Sequence, residues 1–131
     1  MVMRSAVLIL GLAGCMGPDT PEVVTGEWGG VHLGLVASDS GADLEYDCAS
    51  GHIAGQIRPD GNGRFSAAGT HFPGHGGPIR EDEVRETRPA RYDGTVRGEK
   101  MTITVTLPDS GETLGTFILT RGASPHVIKC L

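Results

Sequence analysis

Histidines, cysteines and a run of arginines are the residues of this 131-residue chain whose types and spacing could do chemistry. His71 and His75 stand in Thr70-His71-Phe72-Pro73-Gly74-His75. On a helix that spacing would approach a metal-binding face, but Pro73 and Gly74 forbid a helix there. Only loop geometry could bring the two rings together, with His32 or His52 supplied by neighbouring strands. His71 and His75 are therefore the candidate metal ligands, against the commoner role of a loop histidine that caps or packs. Asp43, Glu45 and Asp47 form an acidic row on one face of a strand. Such a row is usually a solvated face; its sharper reading is a divalent cation or a basic partner. The Asp60-Gly61-Asn62-Gly63 turn lacks the spaced oxygens of a calcium loop. Arg80, Arg85, Arg88 and Arg91 interleave with Glu81, Asp82, Glu83 and Glu86. They read either as local ion pairs, each worth little on a surface, or as a ligand loop whose guanidinium planes take carboxylate or phosphate. Gly122-Ala123-Ser124-Pro125-His126 is no nucleophile elbow, and nothing pairs a base with a nucleophile. The expectation is a non-enzyme with no cofactor.

The elements that must position these residues are strands. Alternation of apolar and polar residues with period two begins at Gly26. Val31, Leu33 and Leu35 alternate with Gly30, His32 and Gly34, and Leu44, Tyr46 and Cys48 with the acidic row. Met101, Ile103, Val105 and Leu107 alternate with threonines. Ser38-Asp39-Ser40-Gly41 and Pro108-Asp109-Ser110-Gly111 are near-copies of one hairpin turn, with further turns at 48–51, 59–63 and 97–100. Helical periodicity is missing. The expected strands are 27–37, 42–48, 52–58, 64–71, 91–97, 101–107, 113–121 and 126–130. This pattern predicts an all-β fold, either a small antiparallel up-and-down barrel of about eight strands or a curled β-sandwich. Trp28, the single tryptophan, stands where avidin-like and lipocalin-like barrels place a bottom plug, which is an analogy. Phe72–Ala90 has no periodicity and is the longest connection, so it is the first place to look for a site.

The N-terminus has one basic residue, Arg4, a short apolar run from Ala6, and then Leu12-Ala13-Gly14-Cys15. It resembles the signal and lipobox of bacterial lipoproteins. The resemblance implies cleavage before Cys15, with lipid on that thiol and acylation of the new amine. The segment is too short to span a bilayer, which takes about 20 apolar residues. The expected organisation is a signal peptide at 1–14, a lipidated tether at 15–25 and one barrel domain at 26–131. The address is the bacterial cell envelope, and Met16, where Asp would retain a lipoprotein at an inner membrane, favours an outer membrane where two exist. With Cys15 given to lipid, Cys48 and Cys130 are left as an even pair in an oxidising compartment and are expected to form a disulfide. The formal net charge of −5 argues against nucleic acid and anionic lipid headgroups as partners.

Trp28-Gly29-Gly30-Val31-His32, Leu44-Glu45-Tyr46-Asp47-Cys48-Ala49, His75-Gly76-Gly77-Pro78 and Pro89-Ala90-Arg91-Tyr92-Asp93-Gly94 resemble stretches of small secreted bacterial barrels, which implies a barrel and no particular activity. Tyr46-Asp47-Cys48 with Cys130 is also similar to the lipoprotein inhibitors of C-type lysozyme, small eight-stranded barrels with an early Tyr-x-Cys disulfide-bonded to a C-terminal Cys. Their inhibitory loop residues do not carry over: Ala90-Arg91-Tyr92 lacks the serine, and Lys100 lies in another context. The expected function is a lipid-anchored envelope module that binds a small ligand or envelope component. The alternatives are a protein–protein module, such as an inhibitor of an envelope enzyme or an assembly factor, and a histidine-based metal-binding protein.

Overall fold

The computed structural model describes residues 22–74 and 86–129. They form eight antiparallel strands: β1 (Gly26–Gly30), β2 (Leu33–Ser38), β3 (Gly41–Tyr46), β4 (Ala49–Ala54), β5 (Arg64–Pro73), β6 (Arg88–Arg97), β7 (Lys100–Leu107) and β8 (Glu112–Arg121). Each pairs with the next, and β1 pairs with β8, so the sheet closes into an up-and-down barrel. The sandwich alternative is thereby excluded. Closure removes the sheet edges on which barrels would otherwise aggregate.

The alternation read from the sequence is the inward–outward alternation of the wall. In β7 Met101, Ile103, Val105 and Leu107 are buried, and the intervening threonines face out. In β3 Leu44 and Tyr46 point in while Asp43 and Glu45 point out. Trp28 is buried in the lower half, its Nε1 donating to the Thr25 carbonyl at 3.0 Å and the Arg121 guanidinium lying 4.7 Å from its ring centroid. Below the mouth the interior is filled by Trp28, Leu35, Leu44, Ile53, Phe65, Met101 and Leu119, all buried.

Two expected strands are corrected. The span 27–37 is not one strand but β1 and β2, joined through Val31 and His32, with His32 at φ 74°. Val31, expected inward, is 61 % exposed because it sits in that turn. The span 126–130 is not a strand: among its described residues only His126 makes an isolated parallel bridge, to Val31. Residues 122–129 instead form a strap along the outside of β1 and β2. Gly122 N–H donates to Glu27 O at 2.7 Å, His126 N–H to Gly30 O at 3.0 Å, and His32 N–H to His126 O at 2.7 Å. A Cβ on Gly29 would stand 2.2 Å from the Ala123 carbonyl oxygen, so the strap lies close only because that position has no side chain. The strap covers the narrowest seam of the barrel, since β1 and β8 pair only at Trp28–Arg121 and Gly29–Thr120.

The turns 31–32, 47–48 and 108–111 lie at one end of the barrel, together with the end of β5 and the start of β6. This end is the mouth. The opposite, lower end holds the β2–β3 and β6–β7 turns, the β4–β5 connection and the entry of the chain into β1, where Val24 N–H donates to Ile57 O at 2.9 Å.

Candidate functional site: the barrel mouth

A cavity of about 450 Å³ opens at the mouth. Three groups of elements position its walls. The tight turns β1–β2 and β3–β4 supply His32, Asp47 and Cys48; the end of β5 supplies His71, Pro73 and Gly74; β7 and β8 supply Val105, Leu114 and Phe117. The last two reach the same space because the β7–β8 ladder is irregular between Val105 and Thr106. Val105 pairs with Gly115 and Thr106 with Thr113, so Leu114 is an extra residue. A bulge of this kind re-aims a side chain, here bringing Leu114 to the cavity beside Phe117.

Tyr46 and His71, which line the cavity, belong to a buried polar cluster. Tyr46 and Tyr92 share a hydroxyl–hydroxyl hydrogen bond of 2.5 Å, and Tyr92 also donates to the Thr70 carbonyl at 3.3 Å. The Tyr46 ring stacks on His71, with centroids 5.5 Å apart and planes 18° from parallel. Gly51 makes room for the pair: a Cβ there would sit 2.1 Å from the Tyr46 hydroxyl and 2.2 Å from that of Tyr92. Burial pushes both phenols up from their ordinary range; the neighbouring Tyr92 adds to the rise at Tyr46, while its bond to Tyr46 partly offsets it at Tyr92.

His71 is 6 % exposed, and its Nδ1 is hidden from solvent with no hydrogen-bond partner among the described residues. A polar atom left in that state costs about 1–3 kcal/mol. Burial, and then the Arg88 charge, lower its pKa from the usual imidazole value, with Glu112 and Glu86 opposing weakly. The ring is therefore neutral at neutral pH.

At the rim, Asp47 joins three segments. One carboxylate oxygen stands 2.5 Å from His32 Nδ1, and the other accepts the Ile128 N–H of the strap at 2.8 Å. His32 and Cys48 both line the cavity and both hold a left-handed backbone, at φ 74° and 52°. Non-glycine residues in that region carry strain of order 1 kcal/mol, which clusters at working sites.

The sequence-predicted residues divide among several places. His71 is at the cavity; His75, Arg80 and Arg85 lie outside the described residues. Among the described residues no cluster of three His, Cys, Asp or Glu side chains could hold a metal. His52 faces out on β4 and pairs with Asp43 at 2.8 Å, and Glu45 faces Lys129 at 3.5 Å, so the acidic row is matched by nearby bases on the outer wall. Arg88 donates to Asp109 at 2.8 Å and to Ser110 at 3.1 Å; Arg91 donates to Asp93 at 3.2 Å. Cys48 is at the β3–β4 turn, where its N–H donates to the Ile128 carbonyl at 2.8 Å, and Cys130 lies outside the described residues. Tyr46 and Tyr92 figure in the sequence only in strand alternation and in the two resemblances, and neither is read there as a partner of His71. A usable signal existed, since Phe65, Ala67 and Gly69 form an inward row whose next step is His71.

No known protein family, curated protein or solved structure matches this chain.

Proposed function

We propose that this chain is a lipid-anchored module of the bacterial cell envelope that binds a small ligand in the mouth of its barrel. The observation that carries the reading is the mouth cavity itself: about 450 Å³, within the size range of small-molecule sites, apolar on the β7–β8 side and with a few convergent polar groups on the other. Strained turn residues at its rim support the same reading. Tether geometry agrees with it. The chain enters β1 at the lower end, against Ile57, so a lipid on Cys15 holds that end toward the membrane and leaves the mouth facing away. The span between Cys15 and Gly26 allows a stand-off of roughly 35 Å at full extension.

The filled lower barrel favours a second reading, a protein–protein module that uses the outer wall or rim, because such a module needs rigidity and no cavity. Ligand-observed NMR separates the two. The full chain in phospholipid nanodiscs is exposed to a library of one- and two-ring aromatic fragments, with empty nanodiscs as control. Some fragments bind saturably, and Leu114→Trp, which fills the cavity, weakens them at least tenfold without lowering the melting temperature. Absence of saturable binding, or binding indifferent to Leu114→Trp, overturns the ligand reading.

A further inference from the structure

We propose that the lower end of the barrel is a membrane-docking face, where Arg58, Arg64, Arg97 and Lys100 take the phosphates of anionic phospholipid headgroups. The proposal rests on the lipid-anchored part of the reading above and is independent of any ligand in the mouth.

The observation is a sorting of charge. Among the described residues, Arg88, Arg91, Arg121 and Lys129 each have a carboxylate partner, respectively Asp109, Asp93, Glu99 and Glu45. The remaining described cations, Arg58, Arg64, Arg97 and Lys100, have none, and all are exposed. The fold gathers these at one end. Arg58 is in the β4–β5 connection, Arg64 opens β5, Arg97 closes β6 and Lys100 opens β7. Arg97 and Lys100 pair directly across the β6–β7 turn, and Arg64 pairs with Thr95, two residues before Arg97 on the same face. Their described hydrogen-bond partners are neutral: Arg58 donates to Gln56 Oε1 at 2.8 Å and Lys100 to Thr120 Oγ1 at 2.9 Å. Asp60 stands close by in the chain, but its carboxylate accepts the Asn62 and Arg64 amides at 2.8 and 3.0 Å. The acids Glu27 and Asp39 of the same end lie on the opposite, β1–β3 side of the barrel.

Like charges gathered on one rim repel, and a counter-charge from outside the chain relieves them. The chemistry of that partner follows from where the rim sits. The chain enters β1 at this end, so a lipid on Cys15 brings it to the bilayer, and the tether permits contact without forcing it. An anionic leaflet attracts Lys and Arg held within a Debye length, each worth about fivefold in partition. The net charge of −5 opposes approach from bulk solvent, not the docking of a basic rim already held at the surface. Docked in this way, the barrel leans on its β5–β7 side and keeps Asp39 away from the headgroups.

The experiment places the full lipidated chain in nanodiscs of phosphatidylcholine, alone or with one third phosphatidylglycerol, each carrying the same amount of a headgroup spin label. The label relaxes the Asn62 and Gly98 amides at least threefold faster in the anionic discs. The Asp39 amide changes less, and the Ser110 amide at the mouth does not change. Molar salt reverses the effect in the unsubstituted protein, so the result does not depend on a variant that folds. Arg64→Gln, Arg97→Gln and Lys100→Gln together return the relaxation to that of neutral discs without lowering the melting temperature. Equal relaxation in the two kinds of disc, strongest relaxation at Asp39 or Ser110, or a triple variant that behaves as the unsubstituted chain overturns the proposal. A chain that co-purifies with neither disc removes the anchoring reading as well.

Discussion

At the scale of single residues, the mouth is defined by polar atoms placed where water does not reach. Tyr92 and His71 are far from Tyr46 in the chain and reach it because inward positions of β3, β5 and β6 converge there. Their chemistry makes an alkaline prediction. Both phenols titrate above their ordinary pKa of about 10 when folded. Below that pH the folded and unfolded states hold the same protons, and stability is unaffected. Above it the unfolded chain releases phenol protons first, so stability falls as pH rises toward the folded values. The chain has only these two tyrosines, so the tyrosinate absorbance near 295 nm reports on them alone. It should rise together with loss of the far-UV dichroism, in one transition above about pH 10. Tyrosinate formation in a chain that keeps its strand signal would contradict the buried pair. His71 has the opposite sign. Its pKa is depressed by burial, so its contribution is present above the ordinary imidazole value and is lost as pH falls through the folded one.

At the scale of elements, turns and the strap account for what was legible and what was not. The near-copies 38–41 and 108–111 are both hairpin turns, as their Asp, Ser and Gly residues imply. The β1–β2 turn escaped notice because it has no Gly or Pro in its two central residues, Val31 and His32. The inward positions change parity across it, from Trp28 to Leu33 and Leu35, and a continuous alternation through Val31 hid that change. The C-terminal segment has strand-like composition at Val127 and Ile128, but β1 already occupies the free edge of β8, so the segment lies across the outside as a strap. We propose that a Cys48–Cys130 disulfide fastens this strap, since the Cys48 N–H meets the Ile128 carbonyl two residues before Cys130. Such a bond closes a loop of roughly 80 residues, worth on the order of 4 kcal/mol by chain entropy. Reducing agent should lower the melting temperature by several degrees, and Cys48→Ser should lower it equally. Two free thiols, besides that of Cys15, in the oxidised and unfolded chain would dispose of the bridge.

At the scale of the whole molecule, the barrel has a filled lower end, where the chain enters β1, and a mouth at the other end. That polarity matters only if the chain is anchored. Cys15→Ser should move the protein from the membrane pellet to the soluble fraction while leaving the melting temperature of the barrel unchanged; persistent membrane association of this variant would refute lipid anchoring. The closed β1–β8 seam also explains why a small acidic chain with few aromatics holds a single architecture. Each of its described strands pairs with two neighbours, and the strap lies along β1 beside the shortest ladder.

The sequence by itself determined the class of the fold and the positions of most strands. Period-two alternation and turn chemistry are local properties of a pleated backbone, and they are written residue by residue. It also carried the lipobox resemblance on which the proposed address rests. Only the tertiary structure decided that the sheet closes, that the last segment is a strap, and that His71 stacks on Tyr46, which is bonded in turn to Tyr92. Those outcomes depend on long-range register. Shifting one strand by a single residue would turn His71 outward without changing its neighbours in sequence.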